Sequence, residues 1–243
     1  MAKRRRPATA GLAGRAARPE RVARGTRPRV TPQASGRSFG GPMFWVGVLV
    51  VAAVAVVAFA LLSSGGPSGG SYACQELMQP QEGASPANPI VTPNLGADHV
   101  PTGSNIDYPV CPPASGPHYN ERGAAPLPPR FYAADSRVGP GNWLHNLEHG
   151  FVVALYRCVD GVCPSDEELS ELRSFVLNGP STPSAAACGY QSKVLAARFD
   201  DMAAPFALLA WDRVLLLDEL DTAVALDFAQ RWIETTAREP NAC

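Results

Sequence analysis

The chain has 243 residues, and its formal net charge of −1 conceals an uneven distribution. Of its 21 Lys and Arg, 11 fall in residues 1–42 against a single acid, Glu20, which leaves 10 basic and 21 acidic residues for the rest. That split excludes one globular unit running the full length and speaks to membrane topology rather than to fold.

Residues 1–42 mix Arg with Ala, Gly and Pro without apolar periodicity, which predicts a disordered basic tail. Its expected partner is the anionic inner leaflet of a membrane, or it serves only as a topology signal. Nucleic acid is disfavoured, because no aromatic interleaving or folded module accompanies the charge. Twenty uncharged residues follow, beginning at Met43 and ending at Leu62. As a helix they would span about 30 Å, one hydrocarbon thickness, and so predict a single transmembrane helix in the lipid bilayer. The Arg-rich side is expected in the cytoplasm, which puts the C-terminal part outside the cell membrane. A cleaved signal peptide is the alternative, but a 42-residue leader before the apolar run is too long for one. Residues 63–71 are nearly all Gly and Ser and predict a flexible spacer.

All six cysteines, Cys74, Cys111, Cys158, Cys163, Cys188 and Cys243, follow the apolar run. This fits an oxidising exterior and up to three disulfides, among fifteen possible pairings. A bridge from Cys158 to Cys163 across their short loop is the one pairing the spacing suggests. Paired cysteines supply no thiolate to a metal.

Residues 72–132 hold twelve prolines, which excludes long helices and central strands. Short pieces such as His99-Val100 and residues 106–110 are expected to pair at a sheet edge. Beyond them the pattern changes. The run FVVALY at 151–156 predicts a buried strand. Ser165 and Glu168 form a capping box for a helix with Leu169, Leu172, Phe175 and Val176 on one face, ended by Gly179-Pro180. Residues 194–199 predict a strand, and 206–211 with 214–217 predict a hairpin. Asp221 is placed to cap a last helix buried through Val224, Phe228 and Trp232, with Leu226 and Ile233 beside them. The fold class expected over residues 72–243 is therefore one α+β domain with a mixed or antiparallel sheet and two packed helices.

The chemistry concentrates in residues 142–151, NWLHNLEHGF. His99, His118, His145 and His149 are the whole histidine complement and fall within 51 residues. His145 and His149, four apart, share a face in a helix and in a strand alike, whereas Glu148 joins them only in a helix. Gly150 and the strand signal after it place the end of any helix near His149. The letters H-x-x-E-H match an inverted zinc-protease pattern, in which two His bind Zn²⁺ and the Glu is the base. That enzyme needs the motif well inside a helix, so a metal-dependent hydrolase is the third reading. The leading one is a metal site with His145 and His149 as core ligands, His118 as the third, and His99 or Glu148 as the fourth. Nitrogen ligands without thiolates favour Zn²⁺ or Cu²⁺. The second reading is a metal-free interaction module in which the histidines only brace loops. PPASGP at 112–117 either presents Ser115 and His118 to the site or is a rigid turn. Ser115 as a nucleophile lacks the G-x-S-x-G context.

At these same residues the chain resembles a bacterial family of unknown function, DUF3105, whose members are typically membrane-anchored. The likeness rests on His99-Val100 with Gly103 and Tyr108, on PPASGPHY at 112–119, and on WLHNLEHGFVVALYRC at 143–158. Residues 205–211 and the aspartate-led last helix match more weakly, and the likeness covers about 95–236. Ala114 stands where the family usually has Thr, removing one hydroxyl. The resemblance implies a one-span exported domain with the histidine cluster as its centre, and it implies no reaction.

Overall fold

The apolar runs become the middle of a five-stranded mixed sheet in a computed structural model that describes residues 71–243. The basic tail, the apolar run at 43–62 and the spacer up to residue 70 lie outside the described residues. Among the described residues no helix is long and apolar enough to cross a membrane.

Nine strands and four helices follow in order among the described residues. They are β1 (Tyr72–Leu77), β2 (Ile90–Val91), β3 (His99–Val100), β4 (Ile106–Cys111), β5 (His118–Tyr119), α1 (Pro140–Glu148) and β6 (Val152–Tyr156), then α2 (Asp166–Leu177), α3 (Pro183–Ala187), β7 (Val194–Arg198), β8 (Phe206–Ala210), β9 (Arg213–Leu217) and α4 (Thr222–Trp232). The main sheet runs β2-β9-β8-β6-β7. β6 pairs parallel with β7 and antiparallel with β8, and the β8–β9 hairpin turns at Trp211 and Asp212, the latter at φ 58°. All five residues of β6 are buried because both faces of this strand are covered.

One face receives α2 and α4. Leu172, Phe175 and Val176 meet Val152, Ala154 and Tyr156, as the capping box at Ser165 and Glu168 anticipates. The helix stops at Leu177 with Asn178 as its C-cap, one residue before the expected Gly179-Pro180. Asp221 caps α4 by accepting from Ala223 and Val224 N–H. The buried centre of α4 is Ala225, Phe228 and Ala229, whereas Val224, Leu226 and Trp232 sit at its half-buried margins. Small alanines let this helix approach the sheet closely, a role that a search for large apolar residues overlooks.

The opposite face is covered by α1 and the proline-rich segment. Trp143, Leu144 and Leu147 are fully buried against Val153, Leu155 and Leu209. Each such side chain contributes about 1.5–3 kcal/mol on leaving water. Two helices were expected over residues 72–243 and four are present among the described residues; α1 carries the histidine motif, and α3 is a single short turn. The pairing expected of residues 99–100 and 106–110 also takes a different form. They do not join the main sheet but make separate parallel pairs, β3 with β5 and β1 with β4. β2 is the piece that reaches the sheet edge, beside β9. The other edge is closed where Tyr132 N–H donates to Ala196 O and Ala196 N–H to Arg130 O, which leaves little of β7 open to another strand.

Three disulfides hold the outlying segments: Cys74–Cys111, Cys158–Cys163 and Cys188–Cys243. The second is the pairing the spacing suggested. The first joins β1 to β4 across 37 residues, and closing a loop of that length stabilises by about 4 kcal/mol. A segment with so little regular structure has need of it.

Candidate metal centre

Strand register and helix periodicity meet at one point. His99 and His118 are register partners in the β3–β5 pair, so their side chains leave the strands side by side. His145 and Glu148 are three apart on α1 and share a helix face. The ligand atoms of His99, His118, His145 and Glu148 all lie within 4.8 Å of one another. Three imidazole centroids form a near-regular triangle, with sides of 5.0, 5.1 and 5.1 Å.

The surroundings decide which nitrogen faces inward. Gly116 O lies 2.8 Å from His118 Nδ1, and Tyr119 O lies 2.8 Å from His145 Nδ1. A carbonyl has only lone pairs, so each contact requires the proton on Nδ1. In the neutral ring the lone pair is then on Nε2, which is the arrangement of a histidine prepared for a metal. His118 Nε2 lies 3.1 Å from Glu148 Oε2, and His99 Nε2 3.3 Å from the same oxygen. These separations match the edge of a coordination tetrahedron with bonds of about 2.0–2.1 Å. His99 Nδ1 lies 3.0 Å from the Asn120 side-chain nitrogen. Turning that amide over would present its oxygen and free Nε2 of His99 in turn.

Burial disfavours charge on His118, His145 and His149. His118 and His145 are both pushed below the ordinary histidine value by loss of water, against the opposing pull of their carbonyl bonds and Glu148. His149 is driven down to about 4 by burial and by His145. Glu148 is buried at the C-terminal end of α1, where the helix dipole disfavours a negative charge. Among the described residues the Arg238 guanidinium, at 3.5 Å from Oε1, is the permanent cation within ion-pair distance. A carboxylate and a lone-pair nitrogen facing each other across 3.1 Å call for a cation between them, so the donor set fits a divalent ion. His99, with a side chain 43% exposed, is the open side of the centre.

His149 stands apart from the group of four. It is the C-cap of α1, as the strand signal after Gly150 anticipates. Its Nε2 lies 3.0 Å from His145 Nε2 and 3.5 Å from Glu239 Oε2. The Ser115 hydroxyl accepts from Leu95 N–H and lies 3.4 Å from Pro93 O, tying its turn to residues 93–95.

Several supporting residues carry no metal-ligand signal of their own. Asn142 accepts from Gly139 N–H and donates to Ala124 O, capping α1 while tying it to the preceding loop. Asn146, fully buried, makes two bonds to the backbone of Leu127. Gly141 lies under the Tyr119 ring, where an added Cβ would come within 2.6 Å, so the absent side chain lets β5 reach His145. The Asn-x-x-x-Asn spacing inside the motif, one helix turn with both amides on one side, is the signal that would have revealed the first two.

No curated protein and no solved structure matches the chain. The family model described as Protein of unknown function (DUF3105) matches residues 99–243, from His99 through Cys243. On that match the chain belongs to the DUF3105 family.

Proposed function

We propose that this protein is a membrane-tethered, extracytoplasmic domain that binds one divalent metal ion, Zn²⁺ or Cu²⁺, through His99, His118, His145 and Glu148. The observation that carries the reading is the fixed tautomer of His118 and His145, each locked by a backbone carbonyl with its Nε2 lone pair aimed at the same small volume. Nitrogen and oxygen donors without thiolate favour these two metals over Cu⁺, and the cysteines are all in disulfides. Tethering is supported by the uncharged run at 43–62, the basic tail before it and the disulfides after it. The bilayer and its anionic inner leaflet are then the partners of residues 1–62.

Metal analysis of the full chain purified without chelator tests the reading. Roughly one ion per chain is expected, with a melting temperature that rises on adding the metal. Substoichiometric metal together with an unchanged melting temperature would remove it. The metal-free interaction module is favoured by one observation, that His118 and His145 already have backbone partners. In that case His145→Ala would lower stability and alter no metal response. For the hydrolase, Glu148 would have to serve as a free base, and its place between two imidazoles favours a ligand instead.

A further inference from the structure

Residues 234–243 lie directly on the centre. The chain turns at Glu234, whose N–H donates to Gly150 O across 2.9 Å. A Cβ on Gly150 would meet the Glu234 backbone at 2.9 Å, and Gly150 itself has φ +85°. Glu239 N–H then donates to Glu148 O across 3.0 Å. Arg238 Nε reaches Glu148 Oε1, and Glu239 Oε2 reaches His149 Nε2, both at 3.5 Å. The segment thus touches one of the four ligands through main chain and side chain together.

Two anchors keep it there. Lys193 has no exposed surface, and its ammonium donates to His149 O at 2.9 Å, Pro240 O at 2.8 Å and Ala242 O at 3.0 Å. It therefore ties the C-terminal end of α1 to the segment through one buried cation, with Glu234 Oε1 3.3 Å away. The second anchor is covalent, the Cys188–Cys243 disulfide from the end of α3.

We propose that residues 234–243 are a clasp that sets how tightly and how long the centre holds its metal, and that Lys193 and the Cys188–Cys243 disulfide are its positioning residues. The proposal rests on the metal reading above. With the clasp seated, Arg238 and the Glu239 N–H hold Glu148 in one orientation and cover the end of α1. With it released, the carboxylate turns freely and water reaches the ligands.

The test compares the full chain with two variants, Cys188→Ser with Cys243→Ser, and Lys193→Met. Zn²⁺ affinity is read by competition with a chromophoric chelator, and Zn²⁺ release by its rate into excess chelator. Both variants are expected to bind about tenfold or more weakly and to release faster, the size of effect seen when a ligand loses its support. Cys158→Ser with Cys163→Ser, at the far end of β6, is expected to bind as the wild type does. Far-UV circular dichroism of the metal-free proteins separates this from loss of fold. Should both anchor variants fail to fold, Arg238→Ala carries the test, because that side chain is half-exposed; it too is expected to weaken binding. Folded variants with wild-type affinity and release rate would overturn the clasp alone, as would an equal loss in the Cys158–Cys163 control. A wild type that takes up no Zn²⁺ overturns the metal reading and the clasp with it.

Discussion

The carbonyl of Tyr119 accepts a hydrogen bond from Nδ1 of His145 across 2.8 Å, and the ring of the same tyrosine rests on Gly141 one helix turn earlier. One residue of β5 therefore sets both the distance of α1 and the tautomer of His145. His118 precedes Tyr119 in the chain, so the strand that delivers one candidate ligand also orients another.

Gly141→Ala tests this packing. The added methyl would enter the Tyr119 ring, and the strand would have to retreat. A loss of about 1–3 kcal/mol is expected from overpacking, measured by urea unfolding of the metal-free protein. Metal affinity should fall as well, since His145 loses its carbonyl partner.

Glu148→Gln separates the metal reading from a bracing role. In the metal-free protein the glutamine amide can donate to the His118 lone pair, so stability should hold or rise. Metal affinity should fall by about tenfold or more with the lost charge. Equilibrium unfolding and Zn²⁺ titration of one variant give both signs, and a marked loss of metal-free stability would favour bracing.

Acid should destabilise the metal-free domain in a defined window. His149 is held neutral down to about 4, with His145, Glu148, Lys193 and Glu239 around it. The unfolded chain takes up that proton near 6.5. Stability is then complete above about 6.5 and is lost as pH falls toward 4, by on the order of 3 kcal/mol from this residue. The lowered values of His118 and His145 add in the same direction. Unfolding free energies between pH 7 and 4.5 check the slope, which His149→Gln should flatten.

Asn146→Ala should cost about 2–3 kcal/mol, because it strands a buried N–H and C=O of Leu127 that pair with the amide. Thermal unfolding measures the loss. The proline-rich segment would loosen over α1, so amide exchange near Leu127 should rise more than in α4.

Local signals in the sequence carried over where a single element suffices to satisfy them. The Ser165–Glu168 capping box, the Asp221 N-cap, the apolar runs of β6 to β9 and the four-residue loop between Cys158 and Cys163 each specify structure within a few residues, and each recurs in the fold. The helix state of the motif was not legible, because a spacing of four faces one side in a helix and in a strand. Its N-terminal cap is an asparagine three residues in, with glycine at the cap position, an arrangement the usual Ser or Asp signal does not reveal.

By itself the sequence determined that the histidines gather in one region, that the cysteines can pair, and that the C-terminal part is α+β, since composition and periodicity act locally. Only the tertiary structure decided which donors converge. Strand register set His99 beside His118, and helix rotation brought in Glu148, with His149 Nε2 3.0 Å from His145 Nε2 and 3.5 Å from Glu239 Oε2. Lys193 and residues 234–243 join the site from far along the chain. Register, rotation and long-range closure are properties of packed elements, and no spacing of residues encodes them.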